Sequence, residues 1–184
     1  MSKKIGLICG SLRKNSYNRM IANTIADLNL SATFHCIELG NLPLYNEDLE
    51  AGELPASVVA FNKGILDADG IVIVTPEYNS GIPGVLKNAL DWASRPPRSG
   101  ALQGKPVGIV GATPGGLGTA LAQVQLRHTI EAMQVPCLPF QKVRVSQVHE
   151  KVNAELNIVS DERTKQNIQS YMEHFIKWIE HRSN

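Results

Sequence analysis

Thr75-Pro76-Glu77-Tyr78-Asn79-Ser80-Gly81-Ile82-Pro83-Gly84 follows directly on the apolar run Ile71-Val72-Ile73-Val74. Four β-branched residues, entered by Asp69-Gly70 and stopped by a proline, predict a strand buried on both faces, at the centre of a parallel sheet. The chain cannot pass straight from it into a helix. Pro76 biases Thr75 towards extended geometry, and Gly81, Pro83 and Gly84 mark the turns that follow. A loop at the carboxyl end of such a strand is where open α/β sheets bind ligands. This one offers an acid, a phenol, an amide and a hydroxyl in succession from Glu77 to Ser80.

Working outward, 3–10 reads as a first strand closed by Gly10-Ser11, and Ile21, Ile25 and Leu28 recur at helical spacing within 18–30. A short second strand is expected over 33–39, an irregular proline-marked stretch over 40–48, and a helix over 55–66. After the central strand, a helix from Pro83-Gly84 to Ala93 ends at Ser94-Arg95-Pro96-Pro97. A fourth strand is expected over 107–111. The glycine-rich turn Thr113-Pro114-Gly115-Gly116-Leu117-Gly118 leads to a helix over 117–133 with apolar residues on more than one face, as in helices covered on both sides. The fifth strand is expected over 135–140, continued or bent at Pro139 towards 143–145. The last helix is expected to be capped by the Ser160 hydroxyl, with Asp161 and Glu162 in its first turn and Ile168, Tyr171, Met172, Phe175, Ile176 and Ile179 facing the sheet. Five alternations of strand and helix predict a doubly wound five-stranded parallel α/β sheet, order 2-1-3-4-5, with helices on both faces.

The 184 residues suit one domain over 1–184. Eighteen basic against seventeen acidic side chains give a formal charge of +1, no footprint for nucleic acid or an anionic membrane. Small-molecule partners are expected. Cys9, Cys36 and Cys137 are odd in number and widely spaced, which suggests neither a disulfide framework nor a zinc site and fits a reducing cytoplasm. The run behind Lys3-Lys4 is too short for a signal-peptide core or a membrane span. His35, His128, His149, His174 and His181 show no ligand spacing, so no metal site is expected. Cys9 reads as a core residue, and Lys87 and Asp91, four apart on one helix, as a solvated ion pair.

Three loops carry chemistry. Gly10-Ser11-Leu12-Arg13-Lys14-Asn15-Ser16-Tyr17-Asn18 leads into a helix and offers backbone N–H groups, two hydroxyls, an amide and a guanidinium, the donors a phosphate dianion needs. It has neither the G-x-x-x-x-G-K-[ST] nor the G-x-G-x-x-G spacing, so a phosphomonoester fits better than a nucleoside triphosphate or a dinucleotide. The second loop is 75–84 and the third is Gly111 to Gly116. They end strands one, three and four, neighbours in the 2-1-3-4-5 order, and so converge on one crevice at the topological switch point.

The first loop, together with Thr75-Pro76-Glu77-Tyr78-Asn79, Gly84-Val85-Leu86-Lys87-Asn88-Ala89-Leu90-Asp91-Trp92 and Ser94-Arg95-Pro96, resembles the NADPH-dependent FMN reductase family, in particular its bacterial quinone, chromate and azo reductase branch. The resemblance spans residues 4 to about 132. It implies a flavodoxin-like fold, non-covalent FMN, NAD(P)H as electron donor, and a homodimer or homotetramer. By position it assigns Ser11, Arg13, Ser16 and Asn18 to the FMN phosphate with Tyr17 beside them. Pro76, Glu77, Tyr78, Asn79 and Ser80 would run along the flavin ring, mostly through backbone groups, and Thr113 would approach the pyrimidine edge. Pro114, just after Thr113, departs from the family pattern. No side chain is expected to act as acid or nucleophile, because hydride passes through the flavin. Tyr78 and Ile82 border the reactive face or pack on the ring or a neighbouring subunit; Trp92 and Arg95 serve a subunit contact or an internal one. The expected activity is transfer of hydride from NAD(P)H through FMN to quinone, azo, chromate or flavin acceptors by ping-pong kinetics. The alternative is an electron carrier or redox-responsive binding module on the same fold, reduced by a protein partner.

Overall fold

The computed structural model describes residues 2–139 and 142–182. Strands β1 (Lys3–Cys9), β2 (Ala32–Ile37), β3 (Gly70–Thr75), β4 (Val107–Ala112) and β5 (Val143–Val145) form a five-stranded sheet in the order β2-β1-β3-β4-β5, every pair parallel. All six residues of β3 are buried. Its side chains alternate between two cores, as a period of two demands. Val72 and Val74 face α1 (Tyr17–Ala26) and α6 (Glu162–Arg182), while Ile71 and Ile73 face α3 (Ala56–Leu66), α4 (Gly84–Ala93) and α5 (Ala120–Ala132). The predicted α6 stripe is buried, with Ile168, Tyr171, Met172, Phe175 and Ile179 in the first core.

The fifth strand differs from the expectation. Over 135–139 the described backbone pairs with β4 around Val107, whose N–H donates to Pro136 O at 2.8 Å and whose carbonyl accepts from Leu138 N at 2.8 Å. Phe140 lies outside the described residues. The ladder itself forms at 143–145, beyond Pro139, which has no N–H to give. The Ile109 N–H, between the two pieces, donates to the buried Tyr171 hydroxyl at 2.6 Å. Gly108 makes the room: a Cβ there would sit 3.0 Å from that hydroxyl.

Smaller differences are local. Asp161, not Ser160, caps α6, its carboxylate accepting from Thr164 N at 2.8 Å, and that contact holds the Asp161 carboxyl below the usual carboxylate range. Helix α1 ends at Ala26, so Leu28 and Leu30 pack on the core from the turn beyond it. Helix α5 begins only at Ala120, because Gly118 and Thr119 both have positive φ, 59° and 63°. The short helix α2 (Glu47–Ala51) and the two-residue hairpin β6 (Val152–Asn153) and β7 (Ile158–Val159) carry too few residues to leave a periodic signal.

Tyr171→Phe deletes the partner of a buried amide, so it is expected to lower unfolding stability by about 1–3 kcal/mol. Urea titration of both proteins measures it. Burial also raises the Tyr171 pKa above its ordinary value of 10.0. Below that value this group's contribution is intact. As pH rises beyond it the unfolded chain ionises first and stability falls, a component the Phe variant lacks.

Candidate cofactor site

The sheet's hydrogen bonding ends at one rim, where the Gly10 N–H donates to Val74 O at 2.9 Å. Beyond that rim the three chemistry-bearing loops are joined by side chains. Asn18 is 3 % exposed and engages Ala112 at both ends of its carboxamide: Nδ2 donates to the carbonyl at 2.9 Å and Oδ1 accepts from the amide at 3.0 Å. This clamp fastens the start of α1 to the end of β4. The carboxamide expected to meet a phosphate is therefore committed to the protein's own backbone.

Ser11 and Ser16 are buried at the same loop. Ser16 caps α1, accepting from Arg19 N at 3.3 Å, and Ser11 Oγ accepts from Arg13 N at 3.4 Å. Arg19 is neutralised by a two-pronged pair with Glu38, 3.0 Å at each prong. Arg13 lies over the Tyr17 ring, 5.8 Å from its centroid, and has no acid partner among the described residues. With no acidic residue in the first turn of α1, this loop presents a helix N-terminus, two hydroxyls and an unneutralised guanidinium on one side. That donor set suits a dianion.

The 75–84 loop closes on itself in a tight turn. Tyr78 and Gly81 exchange both backbone hydrogen bonds at 3.0 Å, so the Tyr78 amide and carbonyl are consumed within a tight turn. Asn79 and Ser80 form its tip, both with positive φ, 50° and 64°. Asparagine tolerates that region; serine does so at a cost of about 1–2 kcal/mol. Two side-chain contacts with α5 hold the turn. Glu77 Oε2 accepts from Leu121 N and Ala122 N, both at 2.9 Å, and Gln125 Oε1 accepts from Ile82 N at 2.7 Å. A Cβ on Gly81 would lie 2.7 Å from that Gln125 oxygen, so a side chain there would displace the Gln125 carboxamide. Glu77 thus supplies the cap that Thr119, the residue before the helix, does not. Its carboxylate is a fastener between loops; nothing in the local sequence signals it, because donor and acceptor stand 44 residues apart.

Thr113 is drawn towards β5. Its N–H donates to Val145 O at 3.0 Å, its carbonyl accepts from Val148 N at 3.2 Å, and its hydroxyl accepts from Gly115 N at 3.3 Å. Pro76 is buried, and Tyr78 is 46 % exposed beside a cleft of about 370 Å³ lined by Gly10, Ser11, Leu12, Arg13, Pro83, Gly84 and Val85. The cleft is open and largely apolar, with the Ser11–Arg13 donors along one wall. A planar apolar ring with an anionic tail matches both parts.

Trp92 and Arg95 make internal contacts. Trp92 is buried, and Arg95 pairs with Glu50 at 2.7 Å and lies over the Tyr45 ring. That pairing holds the Glu50 carboxyl below the usual carboxylate range. Lys87 and Asp91 form the expected ion pair at 2.7 Å.

The profile of the NADPH-dependent FMN reductase family matches residues 3–150, and the chain belongs to that family. It is thus an oxidoreductase of the class that uses FMN with NAD(P)H. A 2-hydroxy-1,4-benzoquinone reductase from a Burkholderia species is 39 % identical over 183 residues, covering 99 % of each chain. A quinone reductase of Pseudomonas putida is 34 % identical over 178 residues, covering 95 % of this chain and 94 % of its own. Among solved structures, FerB of Paracoccus denitrificans, described as a flavoenzyme NAD(P)H:(acceptor) oxidoreductase, superposes with a TM-score of 0.85 at 35 % identity over 97 % of this chain and 98 % of its own. Among the described residues, no helix is long and apolar enough to cross a membrane.

Glu77→Ala leaves two helix N-terminal amides without their acceptor, and the expected loss is about 1 kcal/mol of stability. Asn18→Ala strands buried groups at both ends of the clamp and should cost more, about 2–4 kcal/mol. Thermal or urea unfolding of the two variants beside the parent protein tests the order as well as the sizes.

Proposed function

We propose that this single domain of 184 residues takes NAD(P)H and an electron acceptor in turn at one cleft, in a ping-pong cycle. When bound there, FMN supplies hydride acceptance at N5 and onward delivery to a quinone, azo, chromate or flavin acceptor. The observation that carries this reading is the convergence on the cleft of a phosphate-suited loop and a clamped turn bearing Tyr78. The names of the Burkholderia and Pseudomonas relatives favour quinones among the acceptors.

In this reading Ser11, Arg13 and Ser16 hold the phosphate. Tyr17 supports the Arg13 guanidinium from below, and Asn18 stands behind them as the clamp that keeps their loop beside β4. Pro76, Glu77, Tyr78, Asn79 and Ser80 form one side of the ring site, with Glu77 acting through α5, and the Thr113 hydroxyl faces the pyrimidine edge. These residues bind, orient and shape; none needs to carry a proton. The balanced charge disfavours the alternative of an electron carrier, which docks protein partners through a strongly charged surface.

The protein works as a homodimer or homotetramer in a reducing cytoplasm. Supporting assembly, α5 buries Ala122, Leu126 and Ile130 yet exposes Leu121 and Val124, with Leu117 just before it, on a stretch without a charge between Ala112 and Arg127. An exposed uncharged apolar face of this kind suits a second copy.

Anaerobic NADPH is expected to bleach the yellow FMN-loaded protein, and a quinone to restore the colour. Colour persisting with both NADH and NADPH would favour the electron carrier. Arg13→Ala should weaken FMN binding about tenfold or more, as expected for losing a charge-assisted contact. Fluorescence titration of FMN into apoprotein measures this, and unchanged affinity would remove Arg13 from the phosphate site.

A further inference from the structure

Strand β5 is one edge of the sheet, and α6 packs beside it. A cavity of about 410 Å³ opens between the two. Its polar walls are Lys142 and Arg144 at β5, Lys151 from the turn after that strand, and Thr164, Asn167 and Ser170 from α6. The three α6 residues stand three apart, so they are near neighbours along the helix. Among the described residues that line the cavity, none is acidic. The cavity shares no lining residue with the cofactor cleft.

In a chain whose charges nearly cancel, three cations around one hollow are a local imbalance. The ion pairs elsewhere sharpen the contrast. Arg19, Lys63, Lys87, Arg95 and Lys165 are each paired with a carboxylate, whereas Lys142 and Arg144 have no acidic partner among the described residues. Lys151 donates to Ser146 O at 2.7 Å, which leaves two further N–H donors on its ammonium. The acids at this end of α6 are engaged: Asp161 accepts from Thr164 N at 2.8 Å, and Glu162 pairs with Lys165 at 2.8 Å. Two hydroxyls and a carboxamide add neutral donors to the wall. Charges on an edge strand also deter pairing with a foreign strand. That role asks for neither a cavity nor neutral donors beside the charges.

We propose that this cavity binds a small compound carrying two or more phosphoryl groups, with Lys142, Arg144 and Lys151 as counter-charges and Thr164, Asn167 and Ser170 as neutral donors. Size and charge both select more than one such group. The cavity is several times larger than a single phosphoryl group, and its three positive charges exceed the charge of about −2 that one group carries. Bringing a polyanion in relieves the mutual repulsion of the three cations, and exposed charges of this kind lose their hold as salt rises. The site stands whether or not the flavin reading above is correct.

The test is calorimetric titration of metal-free pyrophosphate into the FMN-loaded protein at low salt, with FMN in excess so that the phosphate-suited loop before α1 is occupied. The parent is expected to take up one equivalent per chain. Lys142→Gln and Arg144→Gln should each weaken binding about tenfold, the scale of one charge-assisted contact, and Asn167→Asp, which sets an acid in the wall, should abolish it. Lys63→Gln removes an equal charge from α3, on the opposite face of the sheet, and should leave the affinity within twofold of the parent. No uptake by the parent overturns the site, as does undiminished affinity in the Lys142 and Arg144 variants. Equal weakening by Lys63→Gln also overturns it, by reducing the binding to overall charge. Elution of the Lys142 and Arg144 variants as a smaller assembly than the parent would make both residues subunit contacts and refute the proposal.

Discussion

Main-chain hydrogen bonding between parallel strands stops at the sheet's carboxyl rim, and whatever is built above it must be held by bonds between the loops themselves. In this protein the work falls to a few polar groups. Asn18 ties the first loop to β4, Glu77 and Gln125 tie the 75–84 turn to α5, and the Thr113 backbone ties the third loop to the chain after β5. Each joins segments far apart in sequence. A crevice assembled from three otherwise independent loops becomes one rigid surface only because of them, and preorganised binding depends on that rigidity.

The sheet was legible because its cause is local. Four β-branched residues between turn signals can only be a doubly covered strand, and the alternation of strand and helical patterns then restricts the order. Where sequence reading failed, the deciding force came from elsewhere in the fold. The stretch 135–140 has strand-like composition, but Pro136 and Pro139 limit its pairing to the neighbourhood of Val107, and the ladder resumes at 143–145. Ser160 and Asp161 are both good caps, and only the turn geometry selects the carboxylate. The family resemblance assigns Asn18 and Glu77 to the site, yet how their side chains bond depends on partners 94 and 44 residues away. No window of sequence contains those partners.

For Trp92 and Arg95 the sequence leaves both a subunit contact and an internal one open. Trp92 and Arg95 sit in a motif shared with the family, but their side chains are spent within the molecule on the loop that follows β2. The loop buries Leu39 and packs Leu42 against the second core, while its acidic remainder needs other anchors. Its anchoring is polar and aromatic: Asn88, Trp92 and Arg95 on the helix meet Pro43, Tyr45 and Glu50. The single large apolar side chain between two of those anchors is left outside, a placement that follows from where the hydrogen bonds fall.

Under the proposed function, electrostatics favours one way for an anionic, planar ligand to lie in the cleft. Helices α1 and α5 both begin at the sheet's carboxyl rim, and neither has an acidic residue of its own in its first turn, so each N-terminus could attract an anion. They are not equivalent. Glu77 already places a carboxylate on the first amides of α5, whereas the loop before α1 keeps Arg13 unneutralised by any described acid and Ser16 on the helix axis. A phosphate brought to α5 would meet a like charge within hydrogen-bonding distance of the same amides; brought to α1 it meets only donors. In the proposed function the tail therefore lies at the first loop and the ring at the turn bearing Tyr78, because the Glu77 carboxylate already occupies the first amides of α5.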